Sequence, residues 1–185
     1  MKKYLFFLFL LIAFLACTPT ADKNPAYFDL KGYFNDQIAL LDSLKPEVNK
    51  SVDSDSIQET KKLSDIQWKD ELQPFLECDL NKPAWKGKFF IDTLEGEDNG
   101  SYALVYSAKD STFQMQNVLI DFNSKGNIDH VRMKSFTKNK LYSSMQTLNY
   151  SPHQSYSMET EQDVFLSGKK TTGIFATFLS RSTRK

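Results

Sequence analysis

The chain has 185 residues, with 23 basic and 23 acidic side chains, two histidines and two cysteines. This length predicts one domain with a sizeable core, and a composition of 41% hydrophobic and 14% aromatic residues excludes a disordered chain. A net charge of zero argues against a nucleic-acid partner bound through its phosphates, and two cysteines exclude a disulfide scaffold or a zinc cluster.

The first seventeen residues have the pattern of an export signal. Lys2 and Lys3 precede an apolar run from Leu5 to Ala16, and Cys17 follows directly. The run is about 12 residues long, which suits a secretory leader. A helix that spans a bilayer needs ~20 residues, so the segment predicts an exported protein and not a transmembrane anchor.

The four residues that end this segment, Phe14-Leu15-Ala16-Cys17, resemble the lipobox of bacterial lipoproteins. Ala16 and Cys17 fit the motif, whereas Phe14 stands where leucine is common and Leu15 is bulkier than usual for its place. In that family the cysteine thiol receives a diacylglyceryl group and the leader is cut just before it. The resemblance implies a protein anchored to a membrane through lipidated Cys17, with ordinary signal-peptide cleavage as the alternative.

These features divide the chain into a leader, a tether, one domain and a tail. Two or three acyl chains anchor a protein stably, because each buried CH₂ contributes ~0.8 kcal/mol. Thr18 follows the cysteine, and by the resemblance the lack of an aspartate there favours the outer membrane, facing the periplasm. The predicted segments are residues 1–16 as signal peptide, 17–24 as lipidated cysteine and tether, 25–180 as a single domain and 181–185 as a basic tail.

An amphipathic helix is predicted at the start of the domain. Asn24 and Pro25 are residue types favoured at the N-cap and at the first helical position, and Pro46 should end the helix near Leu44. Apolar residues recur every three or four positions, as expected for one helical face. That face comprises Tyr27, Leu30, Phe34, Ile38, Leu41 and Leu44.

A second helix is predicted between residues 64 and 76. Ser64 and Gln67 match a capping box, and Pro74 should kink or end the helix because it lacks an amide donor. Trp85 is expected to cover the core. The apolar face of this helix comprises Ile66, Trp68, Leu72, Phe75 and Leu76.

The rest of the domain reads as β-structure. Residues 48–63 predict a polar hairpin that turns at 53–55 at a sheet edge, with a solvated loop as the alternative. From Gly87 onward the apolar period changes to two, and a shift of phase near Asn117 predicts a β-bulge. The predicted strands are 88–95, 101–108, 113–122, 128–137, 140–150, 155–166 and 171–179.

Short connections between these strands favour an antiparallel meander, because parallel crossovers need a dozen residues or more. The fold class predicted is therefore α+β, with N-terminal amphipathic helices packed on a curved antiparallel meander of about seven strands. A closed antiparallel barrel is the alternative. At the level of fold alone, such an architecture is similar to the half-barrel of periplasmic lipoprotein carriers and their outer-membrane lipoprotein acceptors.

Residues with catalytic chemistry are few and scattered. Cys78 would need His130 or His153 beside it to act as a nucleophile, yet the histidines are about 50 and 75 residues away in strand and turn contexts. Asp129 and His130 should point to opposite faces of one strand, so they would not converge on a metal. The acidic turn at residues 92–99 reads as a solvated hairpin tip. No catalytic residue, metal site or cofactor is predicted, and enzyme activity is the least favoured function class.

The tyrosines of the later strands suggest a different kind of site. Tyr142 and Tyr150 occupy alternate positions of one strand, and Tyr156 opens the next. These tyrosines are expected either to pack in the core or to line a groove for an apolar or lipid ligand.

Two functions follow from these patterns. The first is a non-catalytic lipoprotein that supports an envelope complex through a protein partner, and the alternative is a carrier or sensor of an apolar ligand. A carrier needs an apolar internal cavity, whereas an assembly subunit needs a filled core with an exposed apolar patch or strand edge.

Overall fold

The computed structural model describes residues 25–54 and 57–179. The predicted leader, Cys17, the tether up to residue 24 and the tail at 181–185 lie outside the described residues. Three helices occur in the described part: α1 (Leu30–Leu44), α2 (Trp68–Glu71) and α3 (Gln73–Leu76), followed by a 3₁₀ turn at Pro83–Trp85. The strands are β1 (Val48–Ser54), β2 (Ile57–Leu63), β3 (Phe89–Glu95), β4 (Tyr102–Ala108), β5 (Met115–Phe122), β6 (Ile128–Lys138), β7 (Tyr142–Ser151), β8 (Ser155–Val164) and β9 (Gly168–Phe178).

All nine of these strands form one antiparallel sheet in the order β2-β1-β9-β8-β7-β6-β5-β4-β3. The seven strands expected after Gly87 are confirmed as a meander, and the α+β class is confirmed with it. The 48–63 hairpin is also confirmed, and its second strand lies at a sheet edge. Because β2 and β3 stand at opposite edges, the sheet is open and the closed-barrel alternative is wrong.

The bulge expected near Asn117 is confirmed. Met115 pairs with Ser135 but Asn117 pairs with Lys134, so Gln116 has no partner of its own on β6. The extra residue shifts the side-chain alternation by one, which lets both Met115 and Val118 face the core.

Helix α1 begins five residues later than expected. Asn81 holds the preceding segment in another conformation: its side-chain oxygen accepts from Tyr27 N at 3.0 Å, and its Nδ2 donates to the carbonyls of Tyr27 and Phe28. The Phe28 carbonyl also accepts from Leu30 N at 3.0 Å, a bond between residues two apart that is not helical, so residues 27 and 28 stay outside the helix. Asp29 is the actual N-cap, accepting from Gly32 N at 2.8 Å. The end at Leu44 is as predicted.

The second predicted helix is two short ones. The prediction of a capping box at Ser64 is wrong, because the helix starts at Trp68 after Gln67, which makes no side-chain cap bond. Pro74 stands in the first turn of α3, where a missing N–H costs nothing. The predicted interruption is present, because the segment breaks at Leu72, but the proline lies just after the break, at the start of the second short helix.

The core lies between the helices and one face of the sheet, the inner face. The α1 residues Leu30, Phe34, Ile38 and Leu41 are all buried, as the helical period predicted, but Leu44 at the end of the predicted face is 42% exposed. Trp85 is buried too. Burial on the long strands is confined to one end. In β6, Val131 and Met133 are buried but no later residue is, so the far ends of β6–β9 project beyond the helices.

Candidate functional site

The structure brings together two of the three candidate tyrosines. Tyr150 and Tyr156 are cross-strand partners on the inner face, and each is almost fully buried. Tyr142 pairs with Val164 at the opposite end of β7, where it is 39% exposed. The three rings therefore do not line one groove.

The hydroxyls of the two buried tyrosines join the sheet to the helices. Tyr150 donates to Gln37 Oε1 at 3.0 Å, and Tyr156 donates to Glu71 Oε1 at 2.8 Å. Lys50 Nζ also reaches Glu71, at 2.6 Å. Burial raises the pKa of both tyrosines, and the Glu71 carboxylate raises the pKa of Tyr156 further. Both phenols stay protonated donors, which is a structural role.

Aromatic rings fill the layer between the helices and the sheet. The Phe34 ring centroid lies 5.0 Å from that of Phe75 and 5.4 Å from that of Tyr150. Trp68 stacks edge-on against Tyr156 at 6.3 Å. This is the position in which a carrier of this architecture would hold an apolar ligand.

Cys78 is set apart from both histidines. Its thiol is buried and donates to the Pro74 carbonyl at 3.4 Å, beside a cleft of about 190 Å³. Burial raises its pKa to about 12, so the thiolate needed for nucleophilic attack is scarce. His130 lies on the other face of the sheet, 3.4 Å from Asp121, and His153 sits in the β7–β8 turn with φ 58°. The described residues contain no group of three His, Cys, Asp or Glu side chains able to hold a metal.

An open groove of about 290 Å³ crosses the outer face of β6–β9. Within its lining Asn149 Nδ2 donates to Ser157 Oγ at 3.1 Å, and Asn149 Oδ1 accepts from Nε of the neighbouring Arg132 at 3.0 Å. His130 and the half-exposed Phe175 complete the lining. The groove is open to solvent, and most of its polar side chains are hydroxyls.

The two edges of the sheet differ in chemistry. Edge strand β2 carries Glu59, Lys61 and Lys62, a charged sequence of the kind that protects a free edge. Edge strand β3 instead exposes apolar side chains, at 58% for Phe90, 52% for Ile91 and 53% for Leu94.

β3 pairs only with β4, so its other backbone edge has no strand partner in the described sheet. Phe90 and Leu94 point to the outer face, whereas Ile91 points to the inner face, because side chains alternate along a strand. The β3 edge is therefore an apolar surface with free backbone donors and acceptors.

The sequence pattern predicted β3 as a strand, but it did not predict that β3 forms an exposed apolar edge of the sheet. The available signal was the run Phe89-Phe90-Ile91, which is too apolar for a strand that has one face exposed to solvent.

In the described part of the chain, no helix is long and apolar enough to cross a bilayer. The chain matches no known family model, no curated protein and no solved structure.

Proposed function

We propose that this protein is a non-catalytic lipoprotein of the cell envelope. It is anchored to a membrane, the outer membrane facing the periplasm, through lipidated Cys17. Its role is that of an assembly or support subunit that binds an envelope protein through the β3 edge. The observation that carries the protein-binding part is the exposed apolar sequence of β3 on an unpaired strand edge.

An extended segment of a partner fits this edge best. Added strands gain backbone hydrogen bonds along a free edge and specificity from alternate side chains. Phe90 and Leu94 on one face and Ile91 on the other would each meet an apolar residue of that segment. Asp92 between them favours a basic residue opposite. Self-pairing of β3 in the register that joins Phe90 to Leu94 would set two Asp92 carboxylates face to face, which disfavours a second copy.

The carrier alternative receives less support. Its ligand would occupy the layer between helices and sheet, and that layer is packed with the rings of Phe34, Phe75, Tyr150 and Trp68. A filled core beside an exposed apolar edge is the combination expected of a subunit that acts by protein contact.

The lipid anchor is tested by metabolic labelling with a palmitate analogue. Wild type and Cys78→Ser should both carry the label, because Cys78 is buried in the domain. Cys17→Ser should carry none. Retention of label in Cys17→Ser would contradict the assignment.

The β3 edge is tested with a photo-crosslinking amino acid placed at Phe90 or Leu94 in cells. We expect crosslinks to one defined envelope protein, lost when Ile91→Lys places a charge on the same strand. The matched control is the same probe at Gln58 or Thr60 in β2, the other sheet edge. Crosslinks of equal yield from both edges, or crosslinks only between copies of this chain, would contradict the proposal.

The absence of catalysis is tested on the histidines. His130→Ala and His153→Ala should leave the cellular role intact, because the first lies at a shallow outer groove and the second in an exposed turn. Loss of the role in either variant, with an unchanged melting temperature, would reopen an acid–base function.

A further inference from the structure

Two loops form an apolar tip where β6–β9 project beyond the core. The β6–β7 and β8–β9 connections lie side by side, because Phe165 N donates to the Leu141 carbonyl at 3.0 Å. We call Leu141, Tyr142, Phe165 and Leu166 the apolar tip. Leu141 is 70% exposed, Phe165 82% and Leu166 90%.

Hydrogen bonds hold both loops of the tip in place. Asn139 Oδ1 accepts from the backbone amides of Leu141 at 2.8 Å and Tyr142 at 2.9 Å. Ser167 N donates to the Val164 carbonyl at 3.1 Å. The loops therefore keep a defined shape that presents large apolar side chains to water, an arrangement that costs free energy unless something covers them.

Lysines surround the apolar tip. Lys138 and Lys140 flank it on one loop, and Lys169 and Lys170 flank it on the other; all four are exposed. Residues 138–142 and 163–170 make up the two loops and their flanks, and they contain one acidic residue, Asp163, which is the cross-strand partner of Lys169. The tip is thus apolar at its end, and its four lysines outnumber the two nearest carboxylates, Asp163 and Glu161 on β8.

We propose that the apolar tip inserts into the headgroup layer of an anionic phospholipid bilayer. Large apolar side chains with lysines around them are typical of segments that bind membrane interfaces. Lysine stems can lie along the acyl boundary while the ammonium groups remain among the phosphates. A protein partner is less well matched, because lysine is depleted at protein–protein interfaces. Strand β3 itself differs in this respect, since its own charged residues are the carboxylates Asp92 and Glu95, and the one lysine seen over its apolar side chains is Lys109, 5.4 Å from the Phe90 ring centroid.

This contact does not depend on the lipid anchor, but it would act together with one. Stable membrane attachment usually combines two signals, such as acyl chains with a basic apolar patch. With the tip in the bilayer, β6–β9 would meet the membrane by their loop ends. Strand β3 stands three strands away from β6 at the sheet edge, so its free edge would remain open to a partner.

The test uses a chain of residues 18–185, which lacks the leader and Cys17. Every residue of the buried core lies between Tyr27 and Ala176, so this chain retains the whole described core, and its folding is checked by cooperative thermal unfolding. Its partition onto phosphatidylcholine vesicles, with and without phosphatidylglycerol, is measured by sedimentation. We expect binding only to the vesicles that contain phosphatidylglycerol, with loss of binding at high salt.

Matched variants separate the tip from general surface hydrophobicity. The double variant Phe165→Ser/Leu166→Ser should lower the partition coefficient about tenfold or more. Phe90→Ser/Leu94→Ser removes the same two side-chain types from β3, where both are more than half exposed, and should leave the coefficient unchanged.

A second pair of variants tests the basic residues. Lys140→Ser at the tip should lower the partition coefficient about fivefold. Lys125→Ser, in the exposed loop between β5 and β6 at the other strand end, should have little effect.

Three results would overturn the proposal. The first is equal binding to vesicles with and without phosphatidylglycerol, or none to either. The second is unchanged partition of the Phe165→Ser/Leu166→Ser variant. The third is a change of oligomeric state in that variant with unchanged partition, which would make the tip a contact between copies of this chain. None of these results alters the expected crosslinks from Phe90, so the proposal for β3 stands or fails separately.

Discussion

Replacement of Phe34 by alanine tests whether α1 is part of the fold. The Phe34 side chain is fully buried, and its ring contacts those of Phe75 on α3 and Tyr150 on β7. Alanine in its place removes these contacts and leaves a cavity between three elements. Phe→Ala changes at such positions cost about 3–5 kcal/mol in the free energy of unfolding, a large share of the 5–15 kcal/mol that is typical of a domain.

Urea unfolding of the 18–185 chain, followed by circular dichroism, measures this loss. Leu40→Ala is the matched control, because Leu40 lies on the same helix but is 36% exposed, and we expect it to cost less than about 1 kcal/mol. A Phe34→Ala/Phe75→Ala double variant should be less destabilised than the sum of the single variants, since the two rings share one contact. If Phe34→Ala unfolds like Leu40→Ala, α1 does not pack on the sheet and its apolar face is a docking surface instead.

Three further predictions concern the partly buried Glu71, the two buried tyrosines and the Cys78 thiol. Glu71→Ala should lower the free energy of unfolding by about 1–3 kcal/mol, because Lys50 and Tyr156 lose their hydrogen-bond partner. Glu59→Ala, at an exposed ion pair, should lower it by no more than about 0.5 kcal/mol. Urea unfolding of both variants measures the difference. Burial raises the pKa of Tyr150 and Tyr156. As the pH rises above about 10, these tyrosines therefore lose their protons in the unfolded state before they do so in the folded state. The free energy of unfolding should then be lower at about pH 11 than at about pH 8. With the Cys78 pKa at about 12, a thiol reagent at neutral pH should label the native protein far more slowly than the protein in urea; equal rates would mean that the thiol is not buried.

Local sequence patterns determined the elements and most of their boundaries. Apolar side chains alternate along single strands because successive residues of a pleated strand point to opposite faces. The strands could therefore be predicted from this alternation, as with Tyr102, Leu104 and Tyr106 in β4 and with Val131 and Met133 in β6. The period of Leu30, Phe34, Ile38 and Leu41 likewise required one buried helix face, and all four residues are buried.

Long-range contacts decided where elements start and which residues meet. The hydrogen bonds of Asn81 to Tyr27 and Phe28 delay the start of α1, and no local signal announces a partner more than fifty residues away. The separation of Tyr142 from the Tyr150–Tyr156 pair has a similar origin. All three share a face of the sheet, but only the part of that face under the helices is buried, and helix placement is a property of the packed molecule.

Sequence by itself thus determined a helix-then-sheet chain with a hairpin ahead of the meander, because propensity, turns and alternation act over a few residues. The tertiary structure alone decided that β1 docks beside β9, since that pairing joins segments more than a hundred residues apart and depends on the whole sheet. This one pairing covers the edge of β9 and leaves β2 and β3 as the outer strands. At the other end of the sheet β3 pairs with β4 alone, and this leaves Phe90, Ile91 and Leu94 as an exposed apolar edge.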